Sequence, residues 1–332
     1  MRALAVVSVL CATACATLAN EAGDLDVERP NALAGPFRLL KDPELSSKDA
    51  PYILKKRYSD FRDPSVIAEG SELGPTTLYA TVTSPSGDSI QRFSAPDGRS
   101  FDPAGADVLT PTESWEGGAI AQPSVARVNG ELWLAYAAAG GIGLARSSDG
   151  ETFVKDPAPV LEAGGDAWEG GAAPQAPALL ALPSGEVRLF YSANGRIGEA
   201  RSSGTGSFTR IGSAPVLEPG GTEFDGQAVG DPDAWLSQTA EGRRVTRVYF
   251  TATAEDGSQS VGLAARYQSE GRLTPAAAPS LSGPRNPRSP AVLPRAKLTL
   301  LFVTQRAGSS DSQDFPAIAE GVAPATVDLT LP

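Results

Sequence analysis

An internal repeat is the feature that most constrains what this chain can fold into. A segment of the form x-Pro-x-apolar occurs five times, with successive prolines 54 to 59 residues apart. The five segments are Asp63-Pro64-Ser65-Val66, Gln122-Pro123-Ser124-Val125, Ala176-Pro177-Ala178-Leu179, Asp231-Pro232-Asp233-Ala234 and Ser289-Pro290-Ala291-Val292. Each begins a run of short apolar or alternating segments, and a unit of roughly 55 residues with four short strands is typical of a propeller blade. The sequence therefore predicts an all-β fold, a five-bladed β-propeller of four-stranded antiparallel blades.

The fifth unit lacks a clear fourth strand. Either the segment Pro36–Leu40 or the segment Val327–Leu331 is predicted to supply it, which would close the ring by pairing the two ends of the chain. A four-bladed ring with a separate domain is a less economical alternative, and a two-sheet sandwich does not explain a fivefold repeat. The predicted organisation is a signal peptide over residues 1–19, a tether with a first strand over 20–50, and the propeller over 51–332.

The amino terminus has the pattern of a secretory signal. Met1-Arg2 precedes a short apolar run, too short to span a membrane. Ala12-Thr13-Ala14-Cys15 resembles a lipobox, which predicts a signal ending before Cys15 and lipidation of that cysteine; cleavage near Ala16 or Ala19 is the alternative. We expect an exported protein of the bacterial cell envelope, either an outer-membrane lipoprotein or a periplasmic protein, or else a secreted one.

The composition leaves mainly carboxyl groups as candidates for acid–base catalysis. The chain has no histidine, which excludes Ser-His-Asp triads and His-ligated metal sites, and its two cysteines both lie in the leader. The formal net charge of −11 disfavours nucleic acid as a partner. Contact with a membrane is expected only through the lipid anchor.

The inner strand of each blade lines the axis of a propeller, so residues of the five repeated segments should converge there. Blades one and four offer Asp63, Asp231 and Asp233, and blades two and three offer Gln122 and Gln175. Arg62 and Arg288 lie next to these positions and are candidates for binding substrate hydroxyls or carboxylates.

A second repeat precedes three of the inner strands. It reads aromatic, acid, glycine: Trp115-Glu116-Gly117, Trp168-Glu169-Gly170 and Phe224-Asp225-Gly226. Carboxylates beside aromatic rings are what glycoside hydrolysis uses, with one protonated acid, one carboxylate and an aromatic face for the sugar. A structural interpretation is equally open: the aromatic residue packs between blades and the acid accepts backbone N–H bonds at a tight turn.

The order of these pieces over about residues 55–325 resembles glycoside hydrolase family 43 and its arabinanase, levansucrase and invertase relatives. The resemblance depends on the five units, on Arg62-Asp63-Pro64-Ser65-Val66-Ile67, and on Leu144–Phe153 with Pro159-Val160-Leu161. It implies Asp63 as general base, Glu169 as general acid and Glu116 as an assisting carboxylate, although Gln122 and Gln175 stand where acids are expected. Phe61-Arg62-Asp63-Pro64 is also similar to a motif of invertase-type enzymes, a register in which Glu116 would be the acid; we prefer the family 43 register.

The sequence thus predicts an exported glycoside hydrolase that acts on a polysaccharide or oligosaccharide through carboxylate acid/base catalysis in the axial pocket. Trp115, Trp168, Phe224, Arg62, Gln122, Gln175, Asp231, Asp233 and Arg288 are the expected substrate-binding residues. We expect a monomer with no organic cofactor; a structural calcium ion is conceivable, but no residue pattern specifies one. The alternative is a non-catalytic propeller at the cell surface that binds carbohydrate or protein.

Overall fold

The computed structural model describes residues 37–39, 61–68, 74–102, 104–220, 223–238, 243–267, 269–295, 299–306 and 314–321. The predicted signal peptide, Cys15 and the segment Val327–Leu331 lie outside these residues. Within them the chain forms five antiparallel sheets arranged as a ring, which confirms the predicted five-bladed propeller. Two single-turn 3₁₀ helices, Ser114–Glu116 and Ala167–Glu169, interrupt the β-structure.

Blades one to four follow the chain from the axis outward. Blade one contains β2 (Phe61–Ala68), β3 (Thr76–Ser84), β4 (Gly87–Ala95) and β5 (Ala106–Leu109). Blade two contains β6 (Ile120–Val128), β7 (Glu131–Ala138), β8 (Gly141–Ser147) and an outer position divided between β9 (Val154–Lys155) and β10 (Leu161–Glu162). Blade three contains β11 (Gln175–Ala181), β12 (Val187–Ala193), β13 (Arg196–Ser202) and β14 (Thr209–Arg210). Blade four contains β15 (Ala228–Gln238), β16 (Arg244–Thr253), β17 (Gln259–Arg266) and β18 (Thr274–Pro275).

Blade five is completed by the amino-terminal strand. It contains β19 (Arg288–Pro294), β20 (Thr299–Arg306) and β21 (Asp314–Gly321), and β1 (Phe37–Leu39) pairs antiparallel with β21. The ring is therefore closed by the Phe37 segment, one of the two strands expected from the sequence. Phe37 is buried and packs edge-on against Tyr249 of blade four, with 6.3 Å between ring centroids, so this closure also connects neighbouring blades.

The second strand of a blade is buried on both faces because each blade packs between two others. Val248, Tyr249 and Phe250 on β16 are successive residues with 0% exposure, which explains why the sequence shows continuous apolar runs instead of strict alternation. Four hydrophobic clusters lie between and within blades, and together they contain residues of all five.

The repeated x-Pro pair forms a bulge at the same place in every blade. The pairing of the first two strands shifts register across this pair in all five sheets. Proline has no N–H for a ladder, so within a sheet it suits a bulge. The residue before each proline has a left-handed φ: 53° at Asp63, 54° at Gln122, 45° at Ala176, 43° at Asp231 and 48° at Ser289. The sequence repeat therefore encodes five bulges that face one another across the axis.

A candidate site on the propeller axis

The five bulges enclose a small axial cavity of about 30 Å³. Its walls include the carboxyl residues Asp63, Asp231 and Asp233 together with Gln122 and Ser289. Such a volume has room for one or two water molecules. The prediction that the repeated segments converge on the axis is correct, and the cavity they form is of a size for water and not for a sugar ring.

Hydrogen bonds between blades hold each bulge in position. The backbone N–H of the bulge residue donates to a hydroxyl on the second strand of the preceding blade, as from Asp63 to Thr304 at 2.9 Å and from Asp231 to Ser192 at 2.8 Å. The Ala176 N–H instead donates to the side-chain oxygen of Gln122 at 3.0 Å. Ala137 stands where the other blades carry the hydroxyl, so Gln122 replaces it. Gln122 therefore lines the cavity with its oxygen already engaged in a structural bond.

Asp63 is buried and surrounded by donors. Its Oδ2 accepts from the Thr81 hydroxyl at 3.0 Å and lies 3.4 Å from Arg62 Nε, while its Oδ1 lies 3.1 Å from Ser289 Oγ. Burial is the largest influence and raises the pKa of Asp63 to about 6, with a further increase from the charge of Asp231, whereas Arg62 and the two hydroxyls act to lower it. A carboxyl with this pKa can change protonation state near neutral pH.

Asp233 is a second carboxyl with a raised pKa. Its Oδ2 accepts from the Val292 N–H at 2.7 Å, a bond that Ser65 and Ser124 make at the equivalent positions of blades one and two. A hydroxyl therefore suffices for the structural role. Burial raises the pKa of Asp233 to about 7, although the backbone hydrogen bonds to the carboxylate lower it.

Replacing Asp233 by Asn should reduce the loss of stability at high pH. A carboxyl whose pKa rises from 3.8 to about 7 on folding contributes stability at low pH that is lost as the pH rises through this range. Asn keeps an acceptor for the Val292 N–H but does not titrate. Between about pH 5 and about pH 8 the wild type should lose on the order of 2 kcal/mol more unfolding free energy than Asp233→Asn. Chemical denaturation at both pH values measures this; equal losses would contradict the raised pKa.

A larger pocket of about 330 Å³ opens between blades three and four. Asp231 lines both this pocket and the axial cavity. The other polar side chains of the pocket are neutral: Gln175, Ser192, Asn194, Thr251, Thr253 and Gln259. The volume lies at the lower end of the range for small-molecule sites. Of the sequence-predicted binding residues, Gln175 and Asp231 thus lie together in a pocket large enough for a ligand.

Glu116 lies outside both cavities. It is 1% exposed, accepts hydrogen bonds from the Tyr136 hydroxyl and two backbone amides, and pairs with Lys155 at 2.6 Å. Burial alone would raise its pKa, but the bonds from Lys155, the amides and Tyr136 together lower it. A carboxylate held ionised and enclosed in this way is unsuited to donate a proton.

Glu169 repeats this arrangement one blade later. It is 0% exposed, accepts from the Tyr191 hydroxyl at 2.7 Å and pairs with Arg210 at 2.7 Å. Trp168 stacks on Tyr191, as Trp115 stacks on Tyr136, with 6.0 Å between ring centroids in each pair. The repeated motif therefore fixes the segment that enters each blade onto the second and outer strands of that same blade. The expectation that these acids share a pocket with Asp63 is wrong. Each carboxylate is buried at a separate position, where it is paired with a cation and accepts a tyrosine hydroxyl.

The remaining predicted residues lie around the axis or on the surface. Arg62 binds the Asp88 carboxylate at 2.5 Å and Arg288 binds Asp314, so both arginines are engaged in ion pairs beside the axis. Phe224 lines a separate surface cavity of about 540 Å³ with Glu223, Glu255 and Asp256. The structure therefore does not bring Trp115, Trp168 and Phe224 together with the axial acids in one cavity.

Ser289, Thr81 and Thr251 contact the axial carboxyls but are not among the residues predicted from the sequence. Ser289 does occupy the position before proline in the fifth repeat, the same position as Asp63 and Asp231, and that periodicity is the signal that identifies it. Its importance depends on distances across the ring, which the repeat alone does not give.

The described residues lack two further features. They contain no group of three or more acidic or cysteine side chains placed to hold a metal ion, and no helix there has the length and hydropathy needed to cross a membrane.

The fold places this chain in the structural class of five-bladed propellers, and solved structures that resemble it in shape include glycoside hydrolases. A thermostable family-43 glycoside hydrolase has a TM-score of 0.60 at 18% identity, with 80% of this chain and 91% of that chain covered. The catalytic domain of a Coprinopsis cinerea family-62 α-L-arabinofuranosidase has a TM-score of 0.64 at 12% identity, with 90% and 100% covered.

A third structure is described as belonging to the family 130 mannoside phosphorylases and glycoside hydrolases that target β-1,2-mannosidic linkages in Candida mannan. It has a TM-score of 0.63 at 13% identity, with 88% of this chain and 96% of that chain covered. No family model and no curated protein matches the sequence. At these identities the likeness describes the fold, and it confirms the predicted resemblance to the five-bladed propellers of family 43 and related glycoside hydrolases.

Proposed function

We propose that this protein is a glycoside hydrolase whose reacting carboxyls are Asp63 and Asp231. The observation that carries the proposal is that Asp231 belongs to two adjoining spaces, a pocket of about 330 Å³ and an axial cavity of about 30 Å³. The pocket is large enough for part of a saccharide and the cavity for a water molecule. One carboxyl thus stands between the space for a substrate and the space for the water that would hydrolyse it.

The pocket has the chemistry of a site for a neutral, hydroxyl-rich ligand. Amide and hydroxyl side chains line it, among them Gln175, Asn194 and Gln259, and each can both donate and accept hydrogen bonds. Among the residues that the structure describes, Asp231 is the single charged one in its wall. A saccharide fits this lining better than a phosphate or a carboxylate, which a cationic side chain would be needed to bind.

Asp63 keeps the role of general base in this proposal, and Asp231 takes the role of general acid in place of Glu169. Glycoside hydrolysis requires one carboxyl group protonated and another ionised at the same pH. Burial and the charge of Asp231 raise the pKa of Asp63 to about 6, so the pair can hold one proton up to about that pH, and the proposed roles require this proton to be on Asp231 when the reaction begins.

A non-catalytic carbohydrate-binding propeller is the second candidate. The observation in its favour is that Glu116 and Glu169 are buried and already paired with cations. Among the predicted acids, only the axial aspartates are then available for acid–base catalysis. Such a protein would use the same pocket and would release no product.

A panel of oligosaccharides and polysaccharides, scored for binding by calorimetry and for released sugar by chromatography, tests the proposal. We expect saturable binding and product release for at least one glycan. Gln175→Ala should weaken that binding roughly 3–10-fold because it removes one hydrogen-bonding side chain. Glu255→Gln, in the separate surface cavity, is the matched control and should bind as the wild type does. Binding without released sugar would favour the second candidate, and no binding to any glycan would overturn both.

A further inference from the structure

The hydroxyl of Ser289 lies between two carboxyl groups that belong to different blades. Its Oγ is 3.1 Å from Asp63 Oδ1 in blade one and 3.2 Å from Asp231 Oδ2 in blade four. Ser289 itself is on β19 of blade five, is 8% exposed and lines the axial cavity. Three blades thus contribute to one chain of oxygen atoms.

The other hydroxyls at these carboxyls have their protons already assigned. Thr81 accepts the Gln122 N–H at 2.8 Å, so its own proton points to Asp63 Oδ2. Thr251 accepts the Ser289 N–H at 2.8 Å, so its own proton points to Asp231 Oδ2 at 2.9 Å. Neither threonine therefore has a further proton to place between the two carboxyls.

Ser289 has one hydroxyl proton for two acceptors. If Asp63 and Asp231 were both ionised, one of the two contacts would bring oxygen lone pairs together without a proton. One additional proton completes the chain, because a protonated carboxyl donates to Ser289 Oγ and Ser289 donates to the opposite carboxylate. Buried chains of this kind reinforce one another in a low-dielectric surrounding.

We infer that Asp63 and Asp231 share a single proton through the hydroxyl of Ser289, which makes Ser289 a positioning residue that relays this proton between the two carboxyls. The charged groups nearby do not neutralise two carboxylates, which favours the binding of one proton by the pair. Arg62 faces Asp63 but is also bound to Asp88, and Arg288 is bound to Asp314. Asp233, the third carboxyl of the cavity, supplies no positive charge. Burial and the charge of Asp231 raise the pKa of Asp63 to about 6, in agreement with a proton held by the pair.

The relay would also reset the site after each reaction, a consequence that rests on the proposed function. When Asp231 protonates the glycosidic oxygen and Asp63 takes a proton from the attacking water, a C–O bond to the leaving group breaks and one to water forms. Asp63 is then protonated and Asp231 ionised. Transfer of the Asp63 proton to Ser289 Oγ, with release of the hydroxyl proton to Asp231, restores the starting state with no net change in protons.

Carboxyl ¹³C NMR titration of the full chain, with aspartate labelled, measures the two steps of the pair directly. In the wild type we expect two coupled steps, the upper near pH 6. In Ser289→Ala the state with one shared proton loses two hydrogen bonds and the doubly ionised state loses one. The doubly protonated state also loses two, because one carboxyl donates to Ser289 while the carbonyl oxygen of the other accepts from it. The upper step should therefore move down by about one pH unit while the lower step stays in place. Ser124→Ala removes a hydroxyl from the same cavity that makes no bond to either carboxyl, and should leave both steps in place.

An ordinary donor role for Ser289 predicts the opposite direction, because loss of a donor to a carboxylate raises its pKa. An upward shift of the upper step in Ser289→Ala, or no shift, would overturn the relay. The alanine variant should fold, since Ala176 has the same backbone conformation at the equivalent position of blade three, with φ of 45°. Ser289→Gly also suits a positive φ and serves as the second variant. The titration needs no substrate, so failure to hydrolyse any glycan would reject the proposed function without deciding the relay.

Discussion

Asp63→Asn is expected to lower kcat for glycoside hydrolysis by roughly 10²–10⁴-fold, the range for loss of a general base. Asn should fit without disturbing the fold, because it tolerates a left-handed φ such as the 53° of Asp63. Its amide oxygen can accept from Thr81 while its NH₂ donates to Ser289, which reproduces the hydrogen bonds of a protonated Asp63. Steady-state kinetics on the glycan found in the panel, together with thermal unfolding, measure the two effects.

The melting temperature of Asp63→Asn should stay within about 2 °C of wild type at low pH, where Asp63 is itself protonated. At higher pH the variant should become relatively more stable, since the raised pKa of Asp63 means that its ionisation destabilises the folded chain. Asp256→Asn, on the surface, is the matched control and should alter neither value. Turnover within tenfold of wild type would remove Asp63 from the mechanism.

Two kinds of buried carboxyl coexist in this propeller. Glu116 has a cation and amide donors that lower its pKa, so it is stable as an anion. Asp63 and Asp233 lack enough donors to offset burial, and their pKa values rise. A fold tolerates such destabilised ionisation where it serves a function, which is why perturbed pKa values concentrate at functional sites. The axial aspartates, and not Glu116 and Glu169, therefore form the candidate centre.

The sequence was sufficient for the ring because each blade repeats its own pattern. The x-Pro spacing predicted five blades, and it correctly led to Asp63, Asp231 and Asp233 on the axis. It could not separate Glu116 and Glu169 from these acids, because that distinction depends on Lys155 and Arg210, which follow 39 and 41 residues later and bring the cation to the acid only in the folded sheet. The contacts of Ser289 to Asp63 and Asp231 could likewise not be predicted, since they exist only once the ring closes.

Glu169→Gln should lower stability and leave turnover per folded molecule unchanged. The substitution leaves the Arg210 guanidinium beside a neutral, fully buried group, and breaking a buried ion pair costs about 3 kcal/mol. For a domain of this size we expect the melting temperature to fall by roughly 5–10 °C. Thermal unfolding and active-site-normalised kinetics measure the two quantities on the same preparations.

The double variant Glu169→Gln with Arg210→Met is the matched control, because it removes the cation along with the anion. Much of the lost stability should return in the double variant, since an uncompensated charge near a buried site, and not the loss of attraction itself, is what destabilises the single variant. Tyr191 keeps an acceptor for its hydroxyl in both variants, as glutamine retains an oxygen where Glu169 accepts that bond. If Glu169→Gln instead abolished hydrolysis at unchanged melting temperature, Glu169 would be the general acid, and the assignment of that role to Asp231 would be wrong.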